Sequence, residues 1–432
     1  MKCMKSILLM LFIIAVLPLA GCSSDEPEVQ SLVTDEYNES QYTDGTLFYS
    51  MTADGKSAQV VRYGNVSPDS AVIIPSKVKI KGKTYEVTSI DKGAFADCYA
   101  LTAIEIPSSV KDIKRYAFYN CGRLKSITLP ATITRIAENV FRDCSHLEEV
   151  HILGPIDTIA SGAFYNCNSL KSFTVPSSSP SISVQSESFY YCSSLVAFHV
   201  TCPIKEIGAL AFKGCTSLET FTFPEGSDLT VLREGCFWSC QNLVSINIPA
   251  SVKTIENDAF FVCPSIKSVE IPDDSKLEAV GGSAFNGCRS LTSITFTHPL
   301  TSLGINVFAN CQNLESVVIP ASSTVEYIPM GAFYDCFALK ALEIPAAVKD
   351  LDEYAIYQCH SLESLALPEN IEFIAMHNEC NSLKTLYCKS TTPPRIYFDN
   401  FKNLSAIYVP AASLELYKTK WVRWADIIYP EE

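Results

Sequence analysis

The chain has little positive charge and few histidines, and both shortages exclude classes of function. It carries 33 lysines and arginines against 47 aspartates and glutamates, which gives a formal net charge of -14. Nucleic acid is therefore not an expected partner, because phosphate contacts need clustered basic side chains. The 6 histidines form no H-E-x-x-H motif, and the sequence contains no C-x-x-C pair and no nucleophile elbow. We accordingly predict no enzymatic activity, no metal site and no cofactor.

The apolar run at residues 7–19 is too short to cross a bilayer as a helix, and its surroundings indicate a signal peptide. Lys2 and Lys5 lie in front of this run, and Leu-Ala-Gly-Cys follows at residues 19–22. The small residues before Cys22 resemble a bacterial lipobox, which implies cleavage directly before Cys22 and lipid attachment to its thiol. Acyl chains then hold the protein on the membrane without a transmembrane helix. The alternative is an ordinary secretory signal that leaves Cys22 unmodified.

Residues 22–41 are acidic and contain few large apolar side chains, so we expect a flexible tether after the signal peptide of residues 1–21. Asp25, Glu26 and Glu28 stand shortly after the lipid-bearing cysteine. This cluster resembles the export tag with which certain Gram-negative gut and oral bacteria turn lipoproteins outward. The resemblance implies a bacterial outer-membrane lipoprotein exposed on the cell surface. A periplasm-facing orientation stays open, because short acidic linkers are common.

A repeat of mostly 23 or 25 residues occupies most of the chain, and repeats of this length are typical of solenoids. The unit from Leu101 to Cys121 reads L-x-x-I-x-I-P-x-x-V-x-x-I-x-x-x-A-F-x-x-C. Phenylalanine stands three positions before the repeated cysteine, and Ile356 and His377 replace it in the last two units. The repeated cysteines are Cys98, Cys121, Cys144, Cys167, Cys192, Cys215, Cys240, Cys263, Cys288, Cys311, Cys336, Cys359 and Cys380.

The apolar residues of one unit predict a strand and then a return of the chain to the core. Ile104 and Ile106 alternate with Ala103 and Glu105, which indicates a short strand with one buried face, and Pro107 ends it. Ordering one unit costs about 35 kcal/mol, whereas burying its apolar side chains returns about 10 to 15 kcal/mol. A single unit is therefore unstable, and about 14 coils must stack in parallel around a shared core.

These units resemble the BspA-like (bacterial surface protein A-like) leucine-rich repeats of lipoproteins and adhesins. The resemblance rests on the pattern I-P-x-x-V-x-x-I-x-x-x-A-F-x-x-C-x-x-L and extends over residues 72–410. It implies a leucine-rich repeat solenoid with a parallel β-sheet and a role in contact with host or bacterial partners. It does not identify a ligand, because the binding residues differ between members.

The N-terminal end of the solenoid is expected to carry a cap, because its first core must be shielded from water. This cap is predicted over residues 42–71, where residues 47–62 alternate between apolar and polar side chains around Asp54-Gly55 and so predict a β-hairpin. A second, smaller hairpin is expected near residues 81–83.

The C-terminal end is expected to carry a helical cap over residues 411–432. Ser413 is predicted to cap a short helix that extends to Lys420. Trp421 and Trp424, two of the 3 tryptophans of the chain, should then cover the last coil.

The 18 cysteines raise the question of disulfides, because exported proteins often contain them. Neighbouring cysteines of the repeat should lie about 4.8 Å apart, but parallel side chains fit disulfide geometry poorly. We therefore predict buried, reduced thiols. Cys236 replaces the usual alanine before phenylalanine and should be a core residue. Cys202 and Cys388 are either free or paired.

The outward strand positions offer the broadest surface for a partner, which we expect to be an extracellular protein or glycan bound by a monomer. His151 and His199 lie two coils apart in this line, roughly 10 Å, which is too far for a shared metal ion. A purely structural explanation also holds, because small serines and threonines pack well side by side. The candidate partner-binding residues are Glu105, Thr128, His151, Thr174, His199, Thr222, Asn247, Glu270, Thr295, Glu343, Tyr387 and Tyr408.

The units of 25 residues predict a second surface. Each carries two extra residues after the strand, and stacking should align these insertions along one edge, as a rim that either binds a partner or adjusts curvature. The insertions lie at Ser178-Ser179-Pro180, Gly226-Ser227-Asp228, Asp274-Ser275-Lys276 and Ser322-Ser323-Thr324.

Three classes of function stay open for this sequence. A binding or adhesion protein is favoured, an envelope scaffold facing the periplasm is the alternative, and a repeat-borne enzyme comes third.

Overall fold

The computed structural model describes residues 42–44, 46–64, 70–375, 382–397 and 403–431. All of them belong to the unit Glu39–Glu432. The predicted signal peptide, the acidic tether and Cys22 lie outside the described residues, as do His377 and Cys380 of the repeat. Within the described ranges, no helix combines the length and the apolar content that crossing a membrane requires.

The N-terminal end carries the predicted hairpins. Its strands are β1 (Tyr42–Thr43), β2 (Leu47–Met51), β3 (Ala58–Tyr63), β4 (Ser70–Ile73), β5 (Lys77–Ile80) and β6 (Lys83–Ile90). β2 and β3 pair antiparallel on either side of Asp54-Gly55, where Gly55 has a φ of 66°. β5 and β6 form the second hairpin, and β3 pairs with β6 in parallel. The cap therefore leads directly into the first coil.

The repeat units form a solenoid of about 14 coils, and the I-x-I segment of each coil is a short strand, as predicted. We call the line of these strands row A; β4 begins it by pairing with β7. Neighbours pair in parallel, so that Thr128 lies beside His151 and Thr174 beside His199. Row A continues with β7 (Leu101–Glu105), β9 (Ser126–Leu129), β11 (Glu149–Ile152), β13 (Ser172–Thr174), β15 (Ala197–His199), β17 (Thr220–Phe221), β19 (Ser245–Asn247), β21 (Ser268–Glu270), β23 (Ser293–Thr295), β25 (Ser316–Val318), β27 (Ala341–Leu342), β29 (Ser364–Leu367), β31 (Thr385–Cys388), β33 (Ala406–Pro410) and β34 (Ile428–Glu431).

Each coil also contributes a second parallel strand, which we call row B and which the sequence analysis treated only as a return to the core. Most of these strands have two residues, too few to show an alternating pattern in the sequence. β6 pairs with the first of them. Row B comprises β8 (Asp112–Ile113), β10 (Arg135–Ile136), β12 (Thr158–Ile159), β14 (Ile182–Val184), β16 (Ile204–Ile207), β18 (Val231–Leu232), β20 (Thr254–Ile255), β22 (Ala279–Val280), β24 (Ser302–Leu303), β26 (Tyr327–Ile328), β28 (Asp350–Leu351), β30 (Phe373–Ala375) and β32 (Arg395–Tyr397).

The repeated phenylalanines form one column of stacked rings through the core, from Phe95 to Phe333. Neighbouring ring centroids lie 5.2 to 5.7 Å apart, and the ring planes are nearly parallel. Phe141 and Phe260 occupy the same buried position in different coils. Ile356 is buried at the equivalent position of a later coil. The units therefore share a single continuous core.

The repeated cysteines form a second column, and the described members are free thiols. From Cys121 to Cys359, each thiol donates a hydrogen bond to the phenylalanine carbonyl of the preceding coil; the Sγ of Cys144 lies 3.1 Å from the oxygen of Phe118. Cys202 and Cys388 are also free and buried. Burial raises the pKa of the Cys167, Cys240 and Cys288 thiols, and that of Cys311 to about 12, so that little reactive thiolate forms there near neutral pH.

We expect the folded protein to resist alkylation at its core cysteines, because burial disfavours the thiolate that reacts. At pH 8, iodoacetamide should modify Cys98, which is only half-buried, before the other cysteines of the column. Labelling of the native protein should be at least tenfold slower than in urea when followed by peptide mass spectrometry. Rapid labelling of Cys240 or Cys288 in the native state would contradict this expectation.

The C-terminal end carries the expected short helix, but Ser413 does not cap it. The segments are a 3-10 turn at Ala411–Ser413, α1 (Leu414–Lys420) and a 3-10 helix at Val422–Ile427. The Ser413 hydroxyl makes no capping hydrogen bond; it donates instead to the backbone oxygen of Thr391 at 2.8 Å. The prediction of a side-chain cap was wrong, because this hydroxyl is buried against the preceding coil and satisfies a carbonyl there.

Trp421 and Trp424 pack on the end of the solenoid, as expected. Trp421 is buried, and its indole Nε1 donates to the backbone oxygen of Pro394 at 3.2 Å. Trp424 is half-buried against the same core. Beyond the helical segments, β34 pairs in parallel with β33, a strand that the sequence analysis did not predict. The cap is therefore part helix and part strand.

Candidate partner-binding surface

The predicted partner-binding residues lie in one line along the outward side of row A. The parallel register places most of them beside the equivalent residue of a neighbouring coil, as for Asn247 beside Glu270 and Tyr387 beside Tyr408. The exposed members are Glu105, Thr128, His151, Thr174, His199, Thr222, Glu270, Thr295 and Glu343. Asn247, Tyr387 and Tyr408 are half-buried. The structure thus presents a long strip and not one compact cluster.

The half-buried members of this line already have structural partners. The Oδ1 of Asn247 accepts a hydrogen bond from the N–H of Phe223, and its Nδ2 donates to the carbonyl of Phe223, both at 3.0 Å. The rings of Tyr387 and Tyr408 stack at 5.2 Å. These three side chains join neighbouring coils, and the exposed members carry the surface that a partner can reach.

The exposed histidine His151 faces a carboxylate on its own strand. Its Nε2 lies 3.2 Å from Oε2 of Glu149, and both side chains are more than half exposed, so the pair contributes little stability. A groove of about 580 Å³ surrounds this pair and includes Leu153, which is 65% exposed. In the part of the chain that the structure describes, no group of three histidine, cysteine or acidic side chains is placed to hold a metal ion.

A larger groove, of about 1150 Å³, lies where row A meets the rim of inserted residues. We call it the acidic groove. The row contributes Asn247, Glu270 and Thr295, and the rim contributes residues 226–228 together with Asp274 and Lys276. The two surfaces that the sequence predicted separately therefore form the walls of one depression.

The acidic groove is strongly charged. Its lining includes Lys276 as the one basic side chain among the described residues. Prolines and buried or half-buried aliphatic side chains form its apolar part, and serine and threonine hydroxyls add polar groups. Such a surface suits a cationic or neutral polar partner, because an anionic one would be repelled. The carboxylates are Glu225, Asp228, Glu270, Asp273 and Asp274, all of them exposed.

The serine at the centre of each insertion has a structural role. In three insertions its hydroxyl accepts a hydrogen bond from a backbone N–H in the preceding coil: Ser179 from Ile156, Ser227 from Ile204 and Ser323 from Leu300, at 3.0 to 3.1 Å. In coils with the usual I-P-x-x-V turn, the equivalent N–H binds the proline carbonyl, as Val252 does to Pro249. In the coils that precede these three insertions, the proline stands two positions later than in the I-P-x-x-V pattern, so this turn is absent.

The fourth insertion supports this explanation. Its serine, Ser275, follows the coil in which the N–H of Val252 already donates to the carbonyl of Pro249. The Ser275 hydroxyl therefore accepts a hydrogen bond from the N–H of Leu277 in its own turn, at 3.2 Å. The alternating unit length therefore compensates for altered turns in the neighbouring coil. Only the exposed tips of the rim, such as Asp228 and Asp274, are available to a partner.

We expect Ser323→Ala to destabilise the protein by about 1 to 3 kcal/mol, because it leaves the buried N–H of Leu300 without an acceptor. The matched control is Ser322→Ala, an exposed neighbour that should change stability by less than about 0.5 kcal/mol. Urea unfolding followed by circular dichroism measures both. Equal effects of the two variants would show that the hydrogen bond contributes nothing.

A ridge of aromatic and basic side chains, not predicted from the sequence, runs along the solenoid. Each of them directly follows a phenylalanine of the core column, and this constant offset is the signal that would have found it. Tyr165 and Tyr190 stack with centroids 4.5 Å apart, and the Lys213 Nζ lies 3.6 Å from the ring centroid of Trp238. The ridge comprises Tyr119, Arg142, Tyr165, Tyr190, Lys213, Trp238 and Phe261, all half-buried.

Lys213 of this ridge and the nearby carboxyl group of Asp258 have shifted pKa values. Burial lowers the pKa of Lys213, while Asp258 and Glu187 nearby act in the opposite direction. Burial also raises the pKa of Asp258, as does the charge of Glu234. The contact with Trp238 accounts for the position of the lysine, because a partly buried ammonium is stabilised over an indole ring.

Comparison with known proteins agrees with this architecture. Residues 76–196, 182–315 and 301–419 match the family model described as "BspA type Leucine rich repeat region (6 copies)". A leucine-rich repeat protein from Bacteroides ovatus ATCC 8483 superimposes with a TM-score of 0.62 and 24% identity, over 90% of this chain and 100% of that chain. A leucine rich cell surface protein from Faecalibacterium prausnitzii A2-165 has a TM-score of 0.49 and 23% identity, over 81% and 94%. No curated protein matches the sequence.

These matches differ in what they establish. The Bacteroides ovatus structure supports the fold alone, because its identity to this chain is 24%. The family model covers well over half of the sequence and includes both walls of the acidic groove. Taken with the repeated I-P-x-x-V and A-F-x-x-C segments of the solenoid, this coverage means that the chain belongs to the BspA type of leucine-rich repeat proteins.

Proposed function

We propose that this protein is an exported lipoprotein that binds an extracellular protein or glycan through the acidic groove. The observation that carries the proposal is the meeting of row A and the rim in one depression of about 1150 Å³. A repeat protein of this type is a scaffold for interactions, and its exposed side chains are where partners differ. The protein acts by binding and does not catalyse a reaction.

The chemistry of the groove defines the partner. Glu270, Asp273 and Asp274 line it within a short distance along the chain, and Thr295 adds a hydroxyl beside them. Carboxylates attract lysine and arginine side chains and accept hydrogen bonds from sugar hydroxyls. The partner is therefore a basic protein segment or a neutral glycan, bound by a single copy of the chain.

Charge reversal tests the groove. The variant combines Glu270→Lys, Asp273→Lys and Asp274→Lys, and the detergent-solubilised full chain is used to capture host matrix proteins, mucins and bacterial surface proteins. We expect the amount of the specifically bound partner to fall at least tenfold, because attraction becomes repulsion. The captured partner is identified by mass spectrometry, and its affinity is then measured with both proteins.

The control reverses three exposed carboxylates outside the groove and outside the outward line of row A, Asp112→Lys, Glu353→Lys and Glu369→Lys, with the same change in net charge. Its binding should stay within twofold of the unmodified protein. If both triple variants lose the partner equally, the interaction depends on overall charge and the groove is not the site. If neither variant loses it, another surface binds.

The proposed location rests on the sequence before residue 42. Cys22 follows a lipobox-like segment, and the acidic residues behind it resemble an outward export tag. Cys22→Ala should release the protein from the membrane fraction. Protease added to intact cells should degrade the unmodified protein if it faces outward, whereas an envelope scaffold facing the periplasm would survive until the cells are opened.

A repeat-borne enzyme is the remaining alternative, and no arrangement in the described residues favours it over binding. It would return to consideration if one point substitution abolished an activity while circular dichroism and the melting temperature stayed unchanged. Loss of binding through several separate groove residues, each with a partial effect, supports the interaction surface instead.

A further inference from the structure

A second pocket lies at the C-terminal cap and has the opposite charge. It is an open depression with a volume of about 760 Å³, within the range of small-molecule sites. Arg395, Lys420 and Arg423 line it, and no carboxylate belongs to its described lining. In a chain with a net charge of -14, three basic side chains around one cavity form a local exception.

Two basic side chains of this pocket lack the ion pairs that some lysines form along the solenoid. Four such lysines pair with a glutamate of the preceding coil; Lys340 and Glu315, for example, lie 2.7 Å apart. Neither Arg395 nor Lys420 forms an ion pair with any described residue, although both are exposed. An anion entering the pocket would therefore not have to displace a carboxylate from these two side chains.

The pocket also has an aromatic wall. Trp421 and Trp424 line it, and their ring centroids lie 6.0 Å apart at 74°. Trp421 is held in place by its hydrogen bond to Pro394, and Trp424 is half-buried, so both rings are positioned before a ligand arrives. Val422 is 71% exposed at the same pocket. Aromatic rings pack against the C–H faces of sugars, and Arg and Lys bind carboxylates.

We propose that this pocket binds a carboxylated sugar residue, such as a sialic or uronic acid unit of a glycan. Arg395 and Lys420 contact the carboxylate, and Trp424 contacts the sugar ring. The volume of this open pocket accommodates one or two sugar units. This site is separate from the acidic groove and takes a ligand of opposite charge, so that its assignment stands or falls independently of the proposed function.

Intrinsic fluorescence provides the test, because two of the 3 tryptophans of the chain lie in the pocket. The full chain is titrated with sialyllactose and, as the uncharged match, with lactose; glucuronic acid and glucose form a second pair. We expect saturable fluorescence changes with the charged sugars, at least tenfold weaker binding of the neutral ones, and weaker binding at higher salt. An acidic tripeptide is titrated in the same way, as a carboxylate ligand without a sugar ring.

Arg395→Gln with Lys420→Gln should weaken binding of sialyllactose at least tenfold, whereas Lys253→Gln, an exposed lysine far along the chain, should leave it within twofold. Unchanged melting temperatures exclude a folding defect. Three results would overturn the proposal: lactose binding as tightly as sialyllactose, the tripeptide binding more tightly than either charged sugar, or no effect of the double variant.

Discussion

Phe260→Ala is expected to destabilise the protein by about 3 to 5 kcal/mol, through lost burial and the cavity left in the core. Phe260 is fully buried between Phe237 and Phe285, with ring centroids at 5.5 and 5.3 Å. No other side chain of its own coil can fill the gap, because each coil supplies one ring to the column. Urea unfolding should show a lower midpoint and a broader transition, since the column is divided into two parts.

Two further variants provide reference values for this loss of stability. Phe261→Ala removes a half-buried ring of the neighbouring residue, whose main aromatic contact is Trp238 at 5.1 Å, and should cost about 1 kcal/mol. Phe260→Ile should fall between the two, because Ile356 is buried at the equivalent position of a later coil. Equal destabilisation by Phe260→Ala and Phe261→Ala would contradict a stability that depends on the shared column.

The features that the sequence predicted are those repeated at a fixed offset in every unit. The phenylalanine and cysteine columns follow directly from the period, and the exposed face of row A follows from alternation, as at Ser126, Ile127 and Thr128. The family resemblance added the fold class, which the family model confirms. The pattern of a single coil would not predict the solenoid, whereas its repetition along the chain does.

The features that escaped prediction depend on contacts between coils. Ser323 stands in an obvious insertion, but the N–H that it binds belongs to Leu300, 23 residues earlier. Asn247 has the pattern of an outward residue, yet its amide binds the backbone of Phe223 in the preceding coil. Neither partner is visible from local sequence, because both bonds depend on the exact register of stacking.

The candidate site shows the same division. The residues of row A and the positions of the insertions were predicted separately, whereas their meeting in one groove depends on how far the rim projects from the strands. The cap pocket was also not predicted. The tryptophans were expected to cover the last coil, but Arg395 comes from β32 and joins them only because the cap folds back over the preceding coil.

Trp421→Ala is expected to destabilise the C-terminal coils by about 3 to 5 kcal/mol while leaving the distant coils protected. The indole is 6% exposed, contacts Tyr417 with a centroid distance of 5.0 Å and donates to Pro394. Loss of the indole exposes the end of the core to water and leaves the carbonyl of Pro394 without this donor. In a solenoid each coil contacts mainly its neighbours, so the damage should stay local.

Hydrogen exchange measured by mass spectrometry distinguishes this local loss from global destabilisation. Peptides containing β31, β33 and β34 should exchange faster in Trp421→Ala, whereas peptides containing β9 and β11 should keep the rates of the unmodified protein. Val422→Ala is the matched control, since that side chain is 71% exposed, and it should alter neither region. Uniformly faster exchange in Trp421→Ala would mean that the solenoid unfolds as one cooperative unit, and that the cap stabilises every coil equally.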